Sequence, residues 1–442
     1  MSANTTAGTG TPSLRRALGR WDLTAIGVNQ VIGGAIFLMP SQVAGLIGNW
    51  SPLAFLAAGL ASLFVALSFA EVGSRFDGTG GPYLYTSTAF GRFVGFEVGW
   101  MQWFTRAASQ ASITNGIALA LGYYWPLVTE GAVRVALIAG LTAALTWINI
   151  RGIRESAWVV NTLTIGKLTP LAIFLAAGLF AADFTKLVDL PPVTAGNASA
   201  AALLLIFVFG GYDVISVPAG EATDPRRHVP FAFVMTILVV TTVFTLGQAV
   251  CMAVLPEPAA SRTPLADASL VILGAGGALM VGVGSVISMS GNCFGQVLTG
   301  SRMLFALAEH GELPAWFAKV HPRYRTPSNA ILFTSVVALA LALSGSFAVL
   351  ATASAVARLV TYSGASAATL ALRRPRFAAT VATPTFRIPL GPTVPLLAIA
   401  VSLGILVGAS REQLIGGLSA LAAGAALFAV RELTRGRTPQ QS

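Results

Sequence analysis

The sequence predicts an all-α integral membrane protein with twelve membrane-spanning helices. Three observations lead there. The 442-residue chain is 55% hydrophobic and only 10% charged, where an average soluble protein is about 25% charged. Apolar runs long enough to cross a hydrocarbon core of about 30 Å, roughly 20 residues each, recur along its length. The basic residues alternate in side from one loop to the next. A soluble surface of this size needs far more charge to stay wetted. The composition therefore excludes a soluble enzyme, a disulfide-stapled secreted scaffold and a disordered chain.

The apolar runs lie near residues 23–47, 51–71, 86–122, 133–150, 158–181, 200–218, 231–255, 268–307, 329–344, 347–371, 392–409 and 412–431. The third and eighth are too long for an upright helix, so they are expected to tilt or to extend into the cytoplasm. The ninth is short. No run alternates in the manner of a strand, which argues against a barrel. The leading segment is polar and lacks a short apolar core followed by a cleavage site. No signal peptide is expected, and the first run should remain as a spanning helix.

Twelve spans put both termini on one side of the membrane. Of the 27 Lys and Arg residues, Arg134, Lys186, Arg262 and Arg411 fall on one side of that scheme, and Arg106, Lys167 and Arg358 fall inside spans. The other 20 lie on the side of the termini. That asymmetry predicts cytoplasmic termini. The formal charge of +10 is thus a mark of topology, with some attraction to anionic lipid heads, and no nucleic-acid partner is expected. Cys251 and Cys293 sit in apolar runs, so neither a disulfide framework nor a zinc site is read. No Walker-type glycine loop or nucleophile elbow occurs. No metal, cofactor or enzymatic activity is expected.

Two spans differ from plain aliphatic helix. The first reads AIGVNQVIGGAIFLMP, with Gly33, Gly34 and Ala35 in mid-membrane. The sixth reads LLLIFVFGGYDVISVPAGE, with Gly210 and Gly211 in mid-membrane and Asp213 just after. Glycine pairs allow a helix to unwind, and unwound backbone in a bilayer must bury its polar groups in protein, water or ligand. Half-helix N-termini then suit an anionic group such as a carboxylate. Small residues also serve simple close packing. Two such pairs five spans apart favour an inverted repeat of five plus five helices with a site between them.

Four segments then carry a family likeness. VIGGAIFLMP resembles the first-helix motif of the amino acid–polyamine–organocation transporters. AEVGSRFDGTGGPYLY (70–85) is similar to their loop between helices two and three. FVFGGYDVISVPAGEATDPRRHVP (207–230) resembles their sixth helix and its cytoplasmic exit. SRMLFALAEHGELPAWFAKVHPRYRTPSNA (301–330) is similar to their link between helices eight and nine. The resemblance covers both halves of the chain. It implies a LeuT-like fold and secondary transport of amino acids or related amines in a bacterial cytoplasmic membrane. The implied organisation is a cytoplasmic tail (1–21), repeat one (22–182), repeat two (198–376), two appended helices (388–433) and a second tail (434–442). The family's first helix usually carries glycine where this chain has Ala35, a methyl that crowds the approach to a substrate carboxylate.

The charged residues well inside spans are Glu97, Arg106, Lys167, Asp213 and Arg358. Each would cost roughly 2.5–3.5 kcal/mol at a helix centre if unpaired. In the resembling family, a lysine at the place of Lys167 stands where sodium sits in sodium-coupled relatives. Lys167 is therefore a candidate for proton coupling or a fixed stand-in for the ion. Asp213 is a candidate for sensing a substrate amine, carrying a proton, or pairing with arginine. Trp103, Arg106 and Gln110 share a helix face, and Arg106 is expected to pair with Asp213 or to meet an acidic substrate side chain. By helical geometry Glu97 should not pair with Arg106. The expected substrate-binding set is Ile32, Gly33, Gly34, Ala35, Ile36, Trp103, Arg106, Gln110, Phe207, Phe209, Gly210, Gly211, Tyr212 and Asp213, with Phe207 as a candidate gate. The expected coupling set is Lys167, Asp213, Ser288 and Ser290.

The sequence reading is thus a permease that moves amino acids by alternating access, as a proton symporter or an exchanger. The expected partners are the amino acid, protons and membrane lipids, with a homodimer as an option. No cysteine lies at 123–132, so no disulfide-linked heavy chain is expected. The rivals are a polyamine or organic-cation exchanger, which needs surplus acidic groups, and a non-transporting amino-acid sensor of the same fold.

Overall fold

The computed structural model describes residues 16–122, 125–345, 347–407 and 411–435. Fifteen α-helices run through them: α1 (Arg20–Val31), α2 (Ala35–Leu38), α3 (Pro40–Ile47), α4 (Ser51–Gly73), α5 (Pro82–Phe90), α6 (Arg92–Gly122), α7 (Gly131–Arg151), α8 (Ile153–Ala181), α9 (Ala195–Phe209), α10 (Pro225–Val254), α11 (Pro264–Glu309), α12 (Ser328–Ser344), α13 (Phe347–Ala371), α14 (Thr393–Val407) and α15 (Arg411–Arg435). A 3-10 helix, Tyr212–Glu221, follows α9. Among the described residues there is no strand, only an isolated bridge between Leu18 and Ala222. Seven helical stretches are long and apolar enough to cross a membrane, and α12 and α14 are shorter apolar helices. The molecule is an all-helical, multi-pass membrane protein.

The first predicted run is three helical pieces, with the break at the expected glycines. The third run, 86–122, is a correction. It is two helices meeting at Gly91, whose φ of +93° is a conformation that glycine adopts at no steric cost. The long helix proper, α6, starts only at Arg92. The fifth run starts earlier than expected, because α8 follows α7 directly across a corner at Gly152 (φ +142°). The eighth, α11, is 46 residues long with one non-helical residue, Gly274. Beyond that residue it still runs on the order of 50 Å at 1.5 Å per residue, longer than the hydrocarbon core.

The arrangement has an interior helix. α6 buries Gln102, Thr105, Arg106, Ser109, Gln110, Thr114 and Asn115, and it packs against α11, α13 and α12. A helix this polar has no stable place against lipid. It is sheathed in protein, and its polar face makes the centre of the molecule. α1 crosses the same centre, packed on α10, α8, α11 and the 3-10 helix after α9.

Candidate functional site

The site is built from two interruptions of helix. α1 stops at Val31, and Ile32 (φ −77°, ψ 77°) leaves the helical region before the single turn of α2. Carbonyls that lose their amide partners there are met by side chains, as a buried break requires. Lys167 Nζ on α8 donates to Asn29 O (3.0 Å) and Ile32 O (2.5 Å). Ser288 Oγ on α11 donates to Ile32 O (2.9 Å) and Gly33 O (3.0 Å). Asn292 Nδ2, one turn along α11, donates to Gln30 O at 2.6 Å.

The second interruption follows α9. Gly211 has φ +131°, and a Cβ there would stand 2.8 Å from Gln30 O. Only glycine lets the backbone of the second break lie against that of the first. Tyr362 on α13 stacks on Tyr212, with ring centroids 5.2 Å apart. Gly210 faces the Arg358 guanidinium so closely that an added Cβ would be 1.5 Å from Nη1.

Asp213 lies fully buried beside this break. Arg106 Nη2 on α6 donates to its Oδ2 at 2.6 Å, with the two side chains 1% and 0% exposed. Gln102 Nε2 donates to the same oxygen (3.1 Å), and Tyr362 Oη to Oδ1 (3.4 Å). Arg106 Nη1 reaches Gln296 Oε1 (3.3 Å), whose amide donates to Asn292 Oδ1 (3.0 Å). One hydrogen-bonded chain therefore links Asp213 to the α1 break and, through its carbonyls, to Lys167. Such a network couples the positions of α1, α6, α8, α11 and the second break.

Between the breaks is a small cavity of about 30 Å³, walled in part by Gly33, Gly34, Ala35, Ser109, Gly210 and Arg358. That is room for a water molecule and less than any amino acid needs. In its wall, Gln30 Oε1, Ser109 Oγ and Arg358 Nε are buried without a hydrogen-bond partner, as are Gln102 Oε1, Arg106 Nε and both polar atoms of the Gln110 amide elsewhere on α6. Buried polar atoms are nearly always partnered, so a cluster of orphans at one place marks a site for water or a polar ligand.

A family model described as amino acid permease matches residues 18–410. This chain belongs to the amino acid permease family. Among its relatives, the uncharacterized transporter Rv1999c of Mycobacterium tuberculosis (strain ATCC 25618 / H37Rv) is 31% identical over 435 residues, covering 97% of this chain and 94% of the relative. The branched-chain amino acid permease BcaP of Bacillus subtilis (strain 168) is 30% identical over 348 residues, 74% of each chain. The serine/threonine exchanger SteT of the same organism is 28% identical over 407 residues, covering 89% and 91%. The permease is thus a membrane transporter and not an enzyme.

The structure brings Ile32, Gly33, Gly34, Ala35, Arg106, Lys167, Gly210, Gly211, Tyr212, Asp213 and Ser288 of the permease into one neighbourhood. Others of the expected set stand outside it. Trp103 turns to α12, where Nε1 donates to Thr334 Oγ1 (3.2 Å) and the ring stacks on Phe333. Phe209 packs edge-on against Phe244 at 5.2 Å, and Ile36 is buried towards α10 near Gly247. Ser290 is two residues from Ser288, about 200° round the helix, and half-buried. Gln110 is buried in α6 but does not wall the cavity. The Phe207 side chain lies outside the described residues. Glu97 makes no pair with Arg106. Its carboxylate faces α15 beside Gly424 and Trp100, with neither oxygen partnered.

Sequence reasoning did not pick out Asn29, Gln30, Gln102, Ser109 or Gln296. The available signal was polar residues inside apolar runs. VNQV ends one residue before the first glycine pair, and Gln296, one turn after Asn292, shares its helix face.

Proposed function

We propose that this permease moves amino acids across a bacterial cytoplasmic membrane by alternating access, with twelve spans in a LeuT-like five-plus-five arrangement and both termini cytoplasmic. The observation that carries the reading is the meeting of two broken helices around a small cavity whose wall holds unpartnered polar atoms of Gln30, Ser109 and Arg358. The names of the relatives, a branched-chain amino acid permease and a serine/threonine exchanger, support the substrate class. The substrate carboxylate lies at the first break and its amine near both breaks. Lys167 bridges α8 to the first break and is the candidate coupling residue, with Ser288 completing its carbonyl cluster.

Alternating access needs one side to open while the other stays shut. The buried Arg302–Glu221 pair (2.9 Å) and the backbone bonds of Leu18 with Glu221 and Thr223 form a clasp where α11, the exit of the second break and the N-terminal segment meet. It is a fitting cytoplasmic latch. A polyamine exchanger is disfavoured, because Asp213, the buried carboxylate beside the second break, is already paired with Arg106.

The test is uptake of a labelled amino-acid mixture into proteoliposomes, with and without an inward proton gradient, beside counterflow into preloaded vesicles. Gradient-dependent accumulation identifies a symporter. Flux only into preloaded vesicles identifies an exchanger, with Lys167 a fixed stand-in for the ion. No flux in either arm from folded protein refutes transport of amino acids.

A further inference from the structure

We infer that the substrate is an amino acid with net negative charge, of the aspartate or glutamate kind, and that Arg358 is the residue that meets its side-chain carboxylate. This rests on the transport reading above.

The argument is one of charge and position. Among the described residues, the buried charged groups flanking the two breaks are Arg106, Lys167, Arg358 and Asp213. Three are cations and one is a carboxylate. Asp213 is committed to Arg106 at 2.6 Å, and Lys167 is held by backbone carbonyls. Arg358 has no described carboxylate within ion-pair distance, and its Nε has no hydrogen-bond partner. It is also the cation in the cavity wall, where Arg106 and Lys167 are absent.

Nothing in packing alone explains why a guanidinium should stand there. Burying an unpaired charge is costly, and Gly210 is a seat no other residue could provide, since a Cβ would overlap Nη1. A ligand that supplies the missing anion resolves both facts. A zwitterion with a neutral side chain brings no net charge and leaves the excess as it is. A basic amino acid or a polyamine adds to it. A dicarboxylic amino acid offsets one cation and still presents its amine and its second carboxylate to the breaks. The cavity is too small for it as it stands, so the Arg358 side chain must swing from Gly210 as the ligand enters. A long, flexible guanidinium can make that movement while staying charged.

The experiment is counterflow by the full chain in proteoliposomes, with labelled L-glutamate, L-aspartate, L-glutamine, L-leucine, L-serine and L-arginine each tested against vesicles preloaded with the same compound. Glutamate or aspartate is expected to exchange, and excess arginine to leave that exchange unchanged. Arg358→Gln is expected to lower the glutamate-to-glutamine uptake ratio on the order of a hundredfold, as loss of a buried charge partner does. Arg358→Lys is expected to keep the preference for glutamate. The ratio is measured within one preparation, so poor folding of a variant does not imitate the effect. Flux of neutral or basic amino acids without glutamate or aspartate overturns the inference and leaves the transport reading standing. So does an Arg358→Gln variant with the wild-type ratio. No flux of any of the six from monodisperse protein overturns the transport reading, and this inference with it.

Discussion

The Arg106–Asp213 pair can be taken apart by a double-mutant cycle. Both side chains are essentially inaccessible to solvent, and the contact is 2.6 Å. Removing one partner of such a pair leaves the other buried and uncompensated, at a cost of about 3–5 kcal/mol. Asp213→Asn belongs at the upper end, because it removes the carboxylate and leaves Arg106 with only neutral Gln296. Arg106→Gln belongs nearer 3 kcal/mol, because Asp213 keeps its donors Gln102 and Tyr362. In the double variant no charge is stranded, so its cost should fall short of the sum by about 2 kcal/mol or more. The assay is SDS-driven unfolding in mixed micelles of wild type, both single variants and the double. Single costs that add to within about 0.5 kcal/mol, as independent sites do, would refute the coupling and with it the hydrogen-bonded chain drawn from Asp213 to the first break.

Three further outcomes are expected. Lys167→Ala deletes two charge-assisted hydrogen bonds to the first break, about 1.5–3 kcal/mol each, and should abolish accumulation driven by a proton gradient; unchanged accumulation in proteoliposomes would remove Lys167 from coupling. Gly211→Ala combines a left-handed φ, about 1–3 kcal/mol, with a Cβ 2.8 Å from the Gln30 carbonyl. Its expected result is loss of uptake with a lower unfolding temperature, and wild-type behaviour in both would mean that the two breaks do not touch. Trp103→Phe keeps the stack on Phe333 and loses one hydrogen bond to Thr334, roughly 1 kcal/mol; transport kinetics should stay within twofold of wild type, and a larger change in substrate affinity would return Trp103 to the site.

The helical membrane class was readable because it is written in bulk quantities, apolar content and run length. The first break was readable for a local reason, a glycine pair in mid-run, and so was the second. The boundary at Gly91 was not, because one glycine in an apolar run costs a helix only about 1 kcal/mol, and whether it turns a corner depends on what packs around it. The Arg106–Asp213 partnership was accessible as one option because buried opposite charges must find each other. The outward turn of Trp103 was missed because helical spacing fixes the angle between residues on one helix, while the neighbour each meets is set by α12 and α13. The roles of Asn29 and Gln30 needed the three-dimensional break, since their carbonyls matter as much as their side chains.

The central claim, that a substrate sits between the two breaks, is tested most directly by substrate protection of a cysteine placed in the cavity wall. Ser109 is suited, with an unpartnered hydroxyl on the cavity, in a background where the buried Cys251 and Cys293 are changed to alanine. Ser109→Cys in active proteoliposomes should react with a small methanethiosulfonate reagent during turnover. A saturating transported amino acid should slow that reaction at least tenfold, while a non-transported one leaves it unchanged. Labelling at the same rate with and without the transported amino acid would contradict the account.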